Sequence, residues 1–106
     1  MYIIIHVLAT ITIKPGQRDA FLKEFKRIMP MVHAETGCIE YGPAVDVASG
    51  ISVQGPMREN VAVIIEKWES LAALKAHLTA PHMIEYRVRV KDFVDGVTLQ
   101  ILEPAG

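Results

Sequence analysis

The chain has 106 residues, 51% of them hydrophobic, with 11 Lys+Arg against 12 Asp+Glu and a formal net charge of −1. That length fits one domain, residues 1–106, and the near-neutral balance, with no basic block or basic amphipathic face, argues against nucleic acid or a membrane surface as partner. A mean hydropathy of +0.28 is high for a small monomer and points to a subunit interface, while a single cysteine, Cys38, closes no internal disulfide and fits a reducing, cytoplasmic compartment.

Tyr2–Ile13 alternates, with Ile3, Ile5, Val7, Ala9, Ile11 and Ile13 on one face and Ile4, His6, Leu8, Thr10 and Thr12 on the other. It lacks a charged leader and is too short to cross a bilayer, so it reads as a strand rather than a signal or anchor. Both faces are largely apolar, so helices should cover one and something else the other. Lys14-Pro15-Gly16-Gln17 is a turn. From about Gln17 to Glu35 the stripe Phe21, Phe25, Ile28, Met29, Val32 predicts a helix, with Lys23, Glu24, Lys26 and Arg27 as its solvated face. Pro30 should kink that helix or weaken its last turns, and Gly37 fits its C-terminal cap.

Cys38–Val47 reads as a second strand, in which Gly42 and Pro43 suit an edge or a bulge. Ala48–Asn60 is a loop with a place for a short strand at Ile51–Gln54. The apolar, β-branched run Val61–Ile65 suits a strand buried on both faces. This third strand continues to Glu69, with Ile64, Glu66 and Trp68 on one face and Ile65, Lys67 and Glu69 on the other. Ser70 can cap a helix over about Leu71–Thr79, whose stripe is Leu71, Leu74, Leu78 with His77 beside it. Pro81 stops that helix and a second runs over about His82–Asp92. Gly96 ends the helical region, and Val97, Leu99 and Ile101 alternate with Thr98, Gln100 and Leu102 in a final strand. The order β-α-β-β-α-β predicts an α+β, ferredoxin-like fold whose antiparallel sheet has helices on one face. Two such sheets packed by their open faces would make a homodimeric α+β barrel.

Four short motifs follow one another along the chain: Lys14-Pro15-Gly16 after a first strand, Glu35-Thr36-Gly37-Cys38-Ile39-Glu40-Tyr41, Glu66-Lys67-Trp68-Glu69-Ser70, and His77 followed by Pro81-His82. In this order and spacing they resemble the antibiotic biosynthesis monooxygenase domain, a family that includes the small quinol monooxygenases. The resemblance runs from about Ile4 to Leu102 and departs from the family pattern at Gly42–Arg58. It implies a dimeric α+β barrel with a pocket between sheet and helices, and oxidation of quinols or phenols by O2, often with no metal, flavin or haem. The superfamily's haem-degrading members differ at key places. Their first-strand asparagine is missing from Ile3-Ile4-Ile5-His6, and the place of their haem-ligating histidine falls near Tyr86-Arg87, so haem degradation is disfavoured.

Oxygenation without a cofactor needs a deprotonated, electron-rich substrate, hence a base near the working pH in a mostly apolar pocket. His77 is the first candidate as base or substrate hydrogen-bond partner. Trp68 could form an aromatic wall with its indole N–H on a substrate oxygen, or simply pack in the core. Glu66, costly to bury unless paired, could orient a histidine or an arginine. These three are the catalytic candidates. His82, Tyr86, Tyr41 and His6 are the substrate-binding candidates, with the barrel face as the other location for His6. His33 is expected on the surface and Cys38 as an inert thiol. No metal site is expected, because His77 and His82 lie five apart across a proline with no Cys or carboxylate to complete a set. HExxH, P-loop and GxGxxG patterns are absent. The leading expectation is a cofactor-independent monooxygenase acting on a small aromatic substrate with O2. A non-catalytic ligand-binding or sensing dimer and a small-molecule isomerase are the alternatives.

Overall fold

A computed structural model describes residues 3–106; Tyr2, the expected start of the first strand, lies outside the described residues. The chain runs β1 (Ile5–Ile13), α1 (Arg18–His33), β2 (Cys38–Ala44), β3 (Val61–Trp68), α2 (Leu71–Leu78), α3 (Pro81–Val90) and β4 (Val94–Leu102). The strands form one antiparallel sheet in the order β2-β3-β1-β4. This is the expected ferredoxin-like α+β arrangement, with the second helical segment divided at Pro81 into α2 and α3.

Strand alternation sorts the side chains. Ile5, Val7, Ala9, Ile11 and Ile13 of β1 are all buried, and the first four pair in register with the buried Trp68, Glu66, Ile64 and Ala62 of β3. Onto this face α1 presses Phe21, Phe25, Ile28 and Val32, each removed from water and each contributing roughly 2–3 kcal/mol of burial. That packing carries α1 past Pro30, whose missing N–H removes one helical bond, on to His33. Among the described residues no helix covers the other face of the sheet. There Leu8 and Ile65, directly paired, stay 40% and 38% exposed, and Leu102 stays 41% exposed.

Three local expectations are corrected. The second strand stops at Ala44 rather than Val47. Ile51–Gln54 forms a turn closed by the Gln54 N–H on the Ile51 carbonyl, not a strand. Side chains have claimed the backbone groups of this loop: Gln54 donates to the Val47 carbonyl, and Asp46 takes both the Arg58 N–H and its guanidinium. Gly96 lies inside β4, which begins at Val94, because Phe93 and Val94 pack against the core and the Phe93 carbonyl accepts from Lys14 N–H at 2.8 Å. Pro43 does lie in an edge strand, β2, which also carries a bulge between Cys38 and Glu40.

The turn leaving α1 is pinned from outside. Gly37 adopts φ +85°, and its carbonyl accepts the Glu69 N–H at 2.8 Å. A Cβ at this glycine would lie 2.7 Å from the Cβ of Ala73 on α2. Gly16 shares the left-handed conformation, φ +78°, but faces open space. Gly16→Ala should therefore cost about 1–2 kcal/mol from backbone strain alone, and Gly37→Ala clearly more, because α2 must also shift. Urea unfolding of the two variants checks this; equal losses would mean that α2 does not press on the turn.

Candidate active site

Glu66 lies under the helical layer because it alternates with Ile64 and Trp68 on the covered face of β3. Its Oε1 accepts the Trp68 indole N–H at 2.9 Å. Across from it, α2 begins where the Ser70 hydroxyl accepts the Ala73 N–H at 3.1 Å, the cap expected there. Two turns on, Leu74 and His77 share the buried face, and His77 is 2% exposed. The imidazole packs 4.6 Å from the Trp68 ring and, edge on, 5.2 Å from Tyr41. Tyr41 is the β2 register partner of Glu66 and stacks on Phe25 at 5.1 Å. Tyr86 of α3 meets Phe21 and Phe25 edge to face.

One carboxylate ties these parts together. Glu35 Oε2 lies 2.9 Å from His77 Nδ1 and 2.8 Å from His82 Nε2. A carboxylate only accepts, so both nitrogens donate to it. His77 therefore carries its proton on Nδ1, and its other nitrogen, Nε2, keeps a lone pair. The nearest acid to that lone pair is Glu66 Oε1 at 3.9 Å, too far for a hydrogen bond.

Burial sets the charges. It pushes the Glu66 carboxyl up to about 7, against the Trp68 hydrogen bond, which favours the ionised form, and with a smaller push from the Glu35 charge. Burial also lowers the His77 imidazole, with Glu35 pulling the other way, so the neutral ring is favoured. The phenols of Tyr41 and Tyr86 are raised by burial and stay protonated donors. Cys38, half-buried and free, is raised by burial and by the Glu35 and Glu66 charges, which leaves an unreactive thiol.

These groups face a cavity of about 410 Å³ between the sheet and the helices. Its wall is mostly carbon, from residues such as Phe21, Phe25, Ile64, Met83 and Val90, with His77, Glu66, Tyr41 and Tyr86 set into it. A cavity of this size and polarity suits a small aromatic molecule held by a few oriented polar groups.

The candidate residues separate into four groups. His77, Glu66, Tyr41 and Tyr86 line the cavity. Trp68 is fully buried behind it with its N–H already on Glu66, so the expected aromatic wall with an N–H on substrate is corrected to a backing role. His82 reaches the site only through Glu35. His6 is corrected as a substrate-binding residue and takes the other location expected for it: it pairs with Lys67 and Leu102 on the open face of the sheet, because strand alternation turns it away from the cavity. His33 is exposed as expected, with Nε2 bonded to the Tyr41 carbonyl at 2.8 Å. Glu35 is the residue that sequence reasoning missed, although a carboxylate does join His77 and His82. Its signals were its place at the head of the Glu35–Tyr41 motif and a negative charge just past the C-terminus of α1, where the helix dipole disfavours it. Both histidines already donate to that carboxylate. Among the described residues no three or more His, Cys, Asp or Glu are arranged to hold a metal ion.

The model of a family described as antibiotic biosynthesis monooxygenase matches residues 4–89. The chain is 45% identical over 100 residues to "Probable quinol monooxygenase YgiN" of Escherichia coli, across 92% of this chain and 95% of that one. Among solved structures, PA3566 from Pseudomonas aeruginosa superposes with a TM-score of 0.82 at 24% identity, covering 100% of this chain and 98% of that one. Rv0793 from Mycobacterium tuberculosis gives 0.78 at 25% identity, covering 97% and 96%.

The raised Glu66 has a consequence for stability. Its folded value, about 7, exceeds its ordinary 4.5, so the folded protein holds the extra proton between those pH values. Stability from this group is full below about 4.5 and is lost as pH rises through about 7. Glu66→Gln keeps an acceptor for Trp68 and removes the titration. The variant should gain on the wild type above pH 7, by up to about 3 kcal/mol at 1.36 kcal/mol per pKa unit. Urea unfolding at pH 5 and pH 8.5 measures it, and parallel pH profiles for the two proteins would refute it. The lowered His77 acts in the opposite sense, losing stability as pH falls, but it is common to both proteins.

Proposed function

The chain belongs to the antibiotic biosynthesis monooxygenase family, and from that premise we propose that it is a cofactor-independent monooxygenase that oxidises a small quinol or phenol with O2. The observation that carries this reading is His77: buried in the cavity wall, proton on Nδ1 toward Glu35, lone pair on Nε2. A substrate hydroxyl that reaches Nε2 gives up its proton to it, and the phenolate left behind is electron-rich enough to reduce O2. For a quinol the balance is quinol plus O2 to hydroxyquinone plus water. One oxygen atom enters the ring, the other leaves as water, and the substrate supplies four electrons. Glu35 fixes the tautomer and steadies the imidazolium once formed. The buried Tyr41 and Tyr86 hydroxyls are donors for the substrate's second oxygen, and the apolar wall keeps water from competing.

Glu66 favours a second reading. An acid pushed up to about 7 and a base 3.9 Å from it, on one cavity, could shuttle a proton between neighbouring carbons, as an isomerase needs. Oxygen uptake with a panel of quinols separates the two, because an isomerase consumes none. A binding or sensing dimer on the same fold would consume none either and would leave the ligand unchanged.

We further propose a cytoplasmic homodimer closed over the open face of the sheet. The uncovered Leu8, Ile65 and Leu102 support it, and the single free cysteine fits a reducing compartment. No helix among the described residues is long and apolar enough to cross a membrane.

His77→Ala should lower quinol turnover ~10²-fold or more, the usual scale for losing a general base. The wild-type rate should rise with pH through an inflection below the ordinary imidazole value, since burial lowers that group, and the variant should lose the inflection. Normal turnover by the folded fraction of His77→Ala would place the base elsewhere. Light scattering at micromolar concentration should return about twice the 11.8 kDa chain mass. A clean monomer would sink the barrel.

A further inference from the structure

We propose that the cavity selects aromatic substrates that carry an acidic substituent, held at its solvent end by Arg87 and Lys91. The inference rests on the reading above, that the cavity takes a hydroxylated aromatic. Both cations line the cavity; Arg87 lies in the last turn of α3 and Lys91 caps it, four residues on and on the same side of the helix. Both are exposed, whereas His77 and Glu66 in the same cavity wall are 2% and 6% exposed. The cavity wall is therefore polarised by exposure: the acid–base groups are buried and the positive charges face solvent.

The two cations are also uncompensated. Among the described residues neither Arg87 nor Lys91 has a carboxylate within 4.0 Å, while Arg27, Arg58 and Arg89 each have one. The one carboxyl on the cavity wall, Glu66, is deep and bonded to Trp68. Arg87 is held in place by a bond from its guanidinium to the Leu78 carbonyl at 2.7 Å, which leaves its remaining N–H groups for a ligand. An arginine fixed on one side beside a lysine is a natural seat for a carboxylate or sulfonate. A quinol bearing such a group would enter with its anion at the mouth and a hydroxyl toward His77. A neutral quinol has no group to answer these charges.

The test compares two probes that differ in one charge, 2,5-dihydroxybenzoate and its methyl ester, by calorimetric binding without O2. The carboxylate should bind ~10-fold tighter at low salt, and the advantage should shrink at high ionic strength, where such pairs are screened. In Arg87→Gln/Lys91→Gln the ratio of the two affinities should collapse toward one. Because Arg87 also braces the Leu78 carbonyl, Lys91→Glu serves as a second variant: it touches no such bond and should reverse the preference toward the ester. Equal wild-type affinities, no binding of either probe at millimolar concentration, or an unchanged ratio in Lys91→Glu overturns the proposal. A carboxylate preference without O2 uptake by either compound would uphold this binding mode and sink the oxygenase reading instead.

Discussion

Two helices are tied to the end of a third by a single oxygen atom. Glu35 Oε2, just past α1, accepts an N–H from His77 on α2 and another from His82 on α3. Without it, His77 would be a buried imidazole with its Nδ1 proton unanswered, a cost of about 1–3 kcal/mol for an unmet donor. With it, the ring is held in one tautomer and its bare nitrogen has a defined direction. The turn that carries Glu35 is itself held, by the left-handed Gly37 against Ala73 and by the Gly37 carbonyl on Glu69. Backbone geometry at a glycine thus sets the position of a carboxylate, and the carboxylate sets the chemistry available to a histidine.

The cavity exists because the helical layer does not reach the whole sheet. β4 pairs with β1, so Val97, Leu99 and Ile101 lie on the same side as Ile11, Ala9 and Val7. Yet those three β4 residues stay 44–58% exposed while their β1 partners are buried. Between β4 and the helices, α3 supplies Met83, Tyr86 and Val90, and the space left over is the cavity. On its buried wall, burial works on four groups in the direction of neutrality: Glu66, Tyr41 and Tyr86 up, His77 down. A low-dielectric site of neutral groups suits a reaction in which the substrate, not the protein, carries the developing charge.

The side-chain polar atoms fully cut off from solvent have been answered nearby. Glu66 takes the Trp68 indole, His77 takes Glu35, and among the described residues no buried side-chain nitrogen or oxygen lacks a partner. That explains why Trp68 is unavailable to a ligand: its only donor already serves Glu66. It also explains why the 45–60 loop departs from the strand that its valines and isoleucine suggest. Asp46, Ser49 and Gln54 satisfy its backbone groups locally.

Periodicity determined much of this protein. The period of two in β1 and β3, the helical stripe Phe21–Phe25–Ile28–Val32, the Ser70 cap and the stop at Pro81 were all readable, because each is a local preference of consecutive residues. They were enough to establish the element order, the division of each strand into two faces and the placement of Glu66 and His77 toward each other. Partnership across the chain was not readable. Glu35 lies 42 residues from His77 and 47 from His82, and no spacing rule links positions that far apart. Alternation could say that His6 and Val7 point opposite ways, but which of the two met the helices was decided by where α1 and α3 pack. The tertiary structure alone chose the tautomer of His77, withdrew Trp68 behind Glu66 and opened the cavity beside β4. Hydrogen bonds and burial are settled between neighbours in space, and sequence order fixes only neighbours in the chain.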